Sequence, residues 1–388
     1  MIESSPCAWP KREADVQAEF IRAQARKDRR PIHVIWMTSG LGCDGDSISM
    51  TAATNPSLED LLRGCMPGMP PLIMYNPMFA YETGEDFMRP WHEAAAGRLD
   101  PFILVLEGSV PNEDVNGEGH WAALGCDPDT GEPITTSTWI DRLVPKAAAL
   151  LAMGTCAAYG GIPAMRNNPT GAMGLRDYLG AGAESHLGIP VINLPGCPVQ
   201  PDNVTQTLLS LVLQIAGMGP ALDLDEQGRP VRIFGRTVHE ICDRAGLAEN
   251  GKFSSEYGDG RCMVKLGCKG PETHANCPSV LFGDVGAGSW PVGTGHPCFG
   301  CAEKGVGFST PLHTLANIKD FTPPTFFTEA FPNKPGLPSG LKSFATGTAG
   351  LVVGAAGAAM LTGLGKKDQS DHHDHPSGSE GHDHGKEE

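Results

Sequence analysis

Five short, almost wholly apolar runs shape the first half of the chain: IHVIWMTSG from Ile32, PLIMYN from Pro71, FILVLEGS from Phe102, ALLAMGT from Ala149 and PVINLPG from Pro190. Each ends in turn residues. Between them lie helical patterns such as Leu58 to Gly64, Thr138 to Leu150 and Asn203 to Gly217. Apolar runs alternating with helices are what a parallel sheet covered by helices requires. The fold class expected for residues 32–217 is therefore α/β, a doubly wound parallel sheet. Three of the runs lead into loops holding Cys43, Cys156 and Cys197. The carboxyl ends of the strands form the ligand crevice of such a sheet, so these distant cysteines can converge there.

From about Gly219 the periodicity fades and cysteines crowd together with Gly and Pro up to Pro324. A segment of this kind buries little apolar area alone and is commonly organised around metal centres. The expected domains are an N-terminal helical extension (1–31), the sheet domain (32–217), an irregular metal-binding domain (218–324) and a tail (325–388), within a chain of 388 residues. The tail holds a Pro/Gly linker, an uncharged Ala/Gly-rich stretch at 344–365 and a disordered His-rich end. A net charge of -16 repels phosphate backbones, so nucleic acid is excluded as a partner. The N-terminus has no apolar signal core, and Arg29-Arg30 runs straight into Pro31. A cytoplasmic chain is expected, associated with the cytoplasmic face of the membrane through 344–365, which is long enough to span a bilayer and is closed by Lys366 and Lys367. A flexible linker or an oligomer-packing helix competes with that reading.

Nine of the twelve cysteines and one histidine sort into three groups. The first is Cys43, Cys156 and Cys197, each beside glycine, where backbone N–H groups can approach cluster sulfurs. A single cysteine is more often a small buried apolar residue, but three at one sheet edge make a ligand set. The second group is His239-x-x-Cys242 with Cys262 and Cys268; in a helix the first two would share a face. A zinc site of three cysteines and one histidine competes on ligand count. The third is Cys277 with Cys298-x-x-Cys301, whose three thiols suit a three-iron centre better than a closed zinc site. Cys7, Cys65 and Cys126 read as non-ligand thiols. Asp44 reads as a turn former beside Gly45, with a proton-relaying carboxyl as the alternative.

The strings GLGCDGD, EGSVP (Glu107 to Pro111), MGTCAAYGG, NNPTGA (Asn167 to Ala172), PGCP, GRTVHEIC, LGCKGP, ANCP and WPVGTGHPCFGC run in one order between residues 32 and 310. Through them the chain resembles the small, electron-transfer subunit of nickel-iron hydrogenases. The resemblance implies a flavodoxin-like N-terminal domain, a cluster-rich C-terminal domain and an obligatory large subunit that holds the nickel-iron centre. It implies two 4Fe–4S clusters and one 3Fe–4S cluster. The proximal cluster falls to Cys43, Cys156, Cys197 and Asp46, which occupies the family's fourth cysteine position. The distal cluster falls to His239, Cys242, Cys262 and Cys268, and the medial three-iron cluster to Cys277, Cys298 and Cys301. Pro291 stands where a fourth medial ligand would otherwise lie. Gly45 and Gly161 occupy the positions of two extra cysteines in oxygen-tolerant membrane-bound relatives, which disfavours a 4Fe–3S cluster. The Asp-for-Cys pattern most resembles the actinobacterial-type, oxygen-insensitive uptake hydrogenases.

Cys43-x-x-Asp46 keeps the spacing of a cluster-binding C-x-x-C and exchanges one thiolate for a carboxylate. Two alternatives stand beside ligation by Asp46: it caps a helix starting at Ser47, or Cys65 or Cys126 supplies a fourth thiolate. The function expected is relay of electrons from dihydrogen, split on the partner, through three clusters to an acceptor protein or quinone; no catalytic residue is expected on this chain. A dimer of heterodimers or a higher assembly is expected. The alternatives are the cluster-bearing subunit of a quinone-reducing complex and a non-redox zinc-binding or metal-delivery protein, the latter suggested by five tail histidines.

Overall fold

All five apolar runs form one parallel sheet: β1 (Ile32–Thr38), β2 (Leu72–Tyr75), β3 (Phe102–Glu107), β6 (Ala149–Met153) and β7 (Ile192–Leu194), in the order β2-β1-β3-β6-β7. The remaining strands, β4 (Ala123–Cys126) and β5 (Pro133–Thr135), pair as an antiparallel hairpin outside it. The computed structural model describes residues 30–316 apart from 65, 67, 118, 283–287 and 312–313. The extension up to residue 29, Cys7, Cys65, residues 344–365 and the His-rich end lie outside the described residues.

β3 and β6 are buried at every position, which is why their sequences are continuous apolar runs and not alternating ones. One face packs Val34, Trp36, Val105 and Leu151 against Leu208 and Leu211 of the helix Pro201–Ile215. The other packs Ile35, Leu104 and Leu106 against Trp91 and Trp139. The fold is the flavodoxin-like doubly wound α/β architecture expected from the sequence.

Helices differ more from expectation. The pattern begun at Thr138 is the helix Thr136–Leu143, which stops before Pro145, so Ala149 and Leu150 belong to β6. The helix Gly84–Ala95 was not expected; Pro90 lies inside it, and its face of Met88, Pro90, Trp91 and Ala94 faces the core.

Beyond Gly219 the described residues hold only two short α-helices, Val231–Phe234 and Ala245–Glu249. Their apolar residues do not form a core apart: Ile233, Phe234, Val238, Met263 and Trp290 join the layer on the first sheet face. The described residues lie in a single compact unit ending at Pro324. None of their helices is long and apolar enough to cross a membrane.

Candidate metal centres

β1, β3, β6 and β7 end in register at Thr38, Glu107, Met153 and Leu194. Cys43, Cys156 and Cys197 leave three of these ends, so parallel register alone brings them to one edge. The Cys197 thiol lies within electrostatic range of Cys156, Asp46 and Cys43, and burial first, then those neighbours, pushes it up to about 12. Burial raises Cys156 as well, against a hydrogen bond from the Ile162 amide. A Cβ at Gly154, where φ is +79°, would overlap the Asp46 carboxylate. One at Gly161 would lie 2.6 Å from Cys156 Sγ, and one at Gly45 3.0 Å from Cys43 Sγ. Glycine at all three positions leaves the thiols and the carboxylate the space they occupy.

The helix carrying Asp46 runs Gly45–Met50 and begins before Ser47. Its N-cap is Asp44, in the left-handed conformation at φ 53° and without a side-chain cap bond, so Asp44 plays the turn role. Capping instead comes from Glu107, 2% exposed at the end of β3. Its Oε1 accepts the N–H of Asp46 at 2.9 Å and of Ser47 at 3.2 Å; its Oε2 accepts from Ser47 Oγ at 2.5 Å and Trp36 Nε1 at 2.7 Å. The N-cap reading of Asp46 is thereby corrected. Its carboxyl turns away from its own helix, and Oδ1 accepts the Val199 N–H at 2.8 Å, joining the Cys43 and Cys197 loops. Burial first, then the Glu107 charge, pushes the Asp46 carboxyl up to about 7. Cys126 is exposed at the end of β4, in the hairpin outside the sheet.

A turn and not a helix links His239 to Cys242. Thr237 and Glu240 exchange reciprocal bonds of 2.7 and 3.2 Å, and the Cys242 N–H reaches the His239 carbonyl at 3.2 Å. Burial pushes the His239 imidazole down to about 4, keeping it neutral as a metal ligand must be. Cys242 is pushed up to about 12 by burial, and its sulfur accepts the Arg244 N–H at 3.4 Å. Cys262 and Cys268 are raised by burial too; each feels the Arg244 charge, and Cys242 and Cys262 each lie in range of Cys268.

Cys277, Cys298 and Cys301 line a cavity of about 430 Å³ with Trp290 and Pro291, and the proline offers no donor there. Burial pushes Cys277 up to about 12 and raises Cys298 and Cys301 strongly. The three sets are contiguous. The Cys301 thiol lies within electrostatic range of Cys197, and Thr155 Oγ1 donates to the Cys301 carbonyl at 2.5 Å while accepting the Gly196 N–H at 3.0 Å. On the other side the Cys298 amide donates to Cys268 Sγ at 3.3 Å.

Thiols raised by burial are held as thiolates only with sufficient positive charge beside them, which bound metal supplies. Among the described residues no three His, Cys, Asp or Glu close on a single ion. Thiols around a cavity, with backbone N–H groups aimed at their sulfurs, fit an iron–sulfur cluster better than one zinc ion. Sequence reasoning missed Glu107 as a cap and Thr155 as a bridge; the only signal for the first was a carboxylate closing an otherwise apolar strand.

Sheet order and thiol sets define the class: a flavodoxin-like protein in which iron–sulfur clusters are expected. Two family models match: the 20 Kd subunit of NADH ubiquinone oxidoreductase over residues 43–211, and the C-terminal region of the NiFe/NiFeSe hydrogenase small subunit over 234–313. The Hydrogenase-2 small chain of Escherichia coli (strain K12) is 35% identical over 92% of this chain and 89% of its own. The Periplasmic [NiFe] hydrogenase small subunit 1 of Nitratidesulfovibrio vulgaris is 36% identical over 67% and 75%. The solved actinobacterial-type NiFe-hydrogenase from Ralstonia eutropha H16 superposes with a TM-score of 0.72 at 45% identity, covering 89% of this chain and 94% of that one. The chain belongs to the small subunits of nickel-iron hydrogenases. Such a subunit pairs with a large subunit that carries the nickel-iron site, and the pair is an oxidoreductase.

These relatives correct the expected cytoplasmic placement. Hydrogenase small subunits that match this chain include ones named periplasmic, so an N-terminus without an apolar signal core does not assign the compartment. Attachment through 344–365 is not upheld either: no helix among the described residues is long and apolar enough to cross a membrane, and that stretch lies outside them.

Proposed function

We propose that this chain is the electron-transfer small subunit of an uptake hydrogenase of the oxygen-insensitive, actinobacterial type. Cys43, Asp46, Cys156 and Cys197 would hold a proximal 4Fe–4S cluster, and His239, Cys242, Cys262 and Cys268 a distal one. Cys277, Cys298 and Cys301 would hold a medial 3Fe–4S cluster, with residues 218–324 as the domain of the latter two. Bound clusters supply reversible one-electron transfer. Glu107 holds the first turn of the helix Gly45–Met50 so that the Asp46 carboxyl stays at the sheet edge, and Pro291 denies the medial cavity a fourth donor. An acceptor protein or quinone receives the electrons, and the heterodimer assembles further.

The observation that carries this reading is the contiguity of the three sets through Gly196–Thr155–Cys301 and Cys298–Cys268. The match of residues 43–211 alone would equally suit a member of a quinone-reducing complex. The two sets beyond residue 217 favour the hydrogenase. The test is to purify the heterodimer, measure dihydrogen-dependent dye reduction and record electron paramagnetic resonance and Mössbauer spectra. A brown protein with a three-iron signal lost in Cys298→Ser is expected; a colourless zinc protein would overturn the proposal. Asp46→Cys should convert one iron from oxygen-bound to all-sulfur character, and unchanged Mössbauer spectra would remove Asp46 from the ligand set.

A further inference from the structure

We infer that Gln200 sets the redox balance of the centre held by Cys277, Cys298 and Cys301 by donating a side-chain hydrogen bond to the Cys277 sulfur. This rests on the ligand reading above. Gln200 is the N-cap of the helix Pro201–Ile215, yet its side chain makes no cap bond to that helix. Nε2 instead meets Cys277 Sγ at 2.6 Å.

A ligand thiolate sulfur only accepts, so the Gln200 amide turns its N–H toward it, and the neighbouring contacts fit that direction. Asn203 and Asn276 clasp one another through reciprocal bonds of 2.8 and 3.0 Å. The Asn203 Nδ2 then donates to Gln200 Oε1 at 3.3 Å. With its oxygen taken, Gln200 presents its N–H to the sulfur. Gln200 is 4% and Asn203 1% exposed, so water does not substitute for either contact. Asn276 immediately precedes Cys277, and the same clasp therefore holds the backbone that presents the thiolate.

A cluster held by these three cysteines would take up one electron on reduction, supplied by dihydrogen oxidised on the partner, with no bond made or broken on this chain. Negative charge on the ligand sulfurs grows, so a neutral donor stabilises the reduced form more than the oxidised one. Loss of the donor lowers the potential.

The test is a potentiometric titration of the three-iron paramagnetic signal in the intact heterodimer. Gln200→Leu should lower the midpoint, on the order of a tenfold change in the reduced-to-oxidised ratio at fixed potential, or ~59 mV for one electron. Gln200→Glu, which keeps the shape but places an acceptor beside the sulfur, should lower it further and serves alone if the leucine variant fails to assemble. Asn203→Ala should give a smaller fall, because it frees the amide without removing it. An unmoved midpoint in Gln200→Glu with the signal intact overturns the role of Gln200. A three-iron signal unchanged in Cys277→Ser overturns the ligand reading itself, so the two failures are separable.

Discussion

β3 and β6 are buried along their whole length on both faces. Residues 218–316, in contrast, hold two short α-helices and two 3-10 turns among the described residues and are otherwise turns and isolated bridges. The sheet half is ordered by apolar contact and ladder hydrogen bonds, which need no ligand. The cysteine-rich half adds its apolar residues to one face of that sheet and is otherwise held by polar straps and buried thiols. Arg229, 4% exposed, bonds Asp225 at 2.7 Å and Glu303 at 3.0 Å, and Glu303 also accepts from the His274 N–H at 2.9 Å. The difference teaches that packing alone accounts for the order of one half, whereas the other has little packing of its own and is where iron–sulfur clusters are expected.

Iron removal tests this most severely. Chelation of the reduced heterodimer should leave the amides of β1, β3 and β6 protected from hydrogen exchange. Residues 234–313 should exchange roughly a thousandfold faster, the scale of ~4 kcal/mol of metal-dependent stability. Equal loss of protection in both halves would erase the contrast. Leu104→Ala in β3 should cost about 3 kcal/mol in denaturant unfolding, because a fully buried strand cannot close the cavity. A cost below about 1 kcal/mol would mean that the sheet is looser than its burial implies.

Glu303→Gln addresses the strap and should cost about 2 kcal/mol. That is less than the about 3–5 kcal/mol of a buried pair broken outright, because Asp225 still accepts from Arg229. Its pH dependence has a definite sign. Burial alone would raise the Glu303 carboxyl, but the His274 bonds and the Arg229 charge hold it below its ordinary value. A carboxyl lowered in the folded state contributes stability above its unfolded value and loses it as pH falls through the folded one. Acid unfolding should therefore be steeper in the parent than in Glu303→Gln; parallel curves would show the strap to be inert. Thr155→Val should have the smallest effect, about 1 kcal/mol, with recovery in Thr155→Ser, since it removes the bonds to the Cys301 carbonyl and Gly196 N–H. An unchanged unfolding midpoint would remove Thr155 from the joint.

The five strands were legible because each is a short apolar run, the first thiol group because its cysteines follow strand ends, and the other two because their cysteines crowd among Gly and Pro. The helix Gly84–Ala95 was not legible, since Pro90 interrupts its signal, and neither was the hairpin of β4, whose Ala123 and Cys126 are exposed. Composition and spacing thus nominated the residues proposed to bear the chemistry. How they are held was settled by the tertiary structure. Glu107 reaches Asp46 across 61 positions, Gln200 reaches Cys277 across 77 and Thr155 reaches Cys301 across 146. Such contacts leave no periodic trace, because a hydrogen bond between distant segments depends on where parallel register and helix packing set two backbones down, and residue type alone does not encode that.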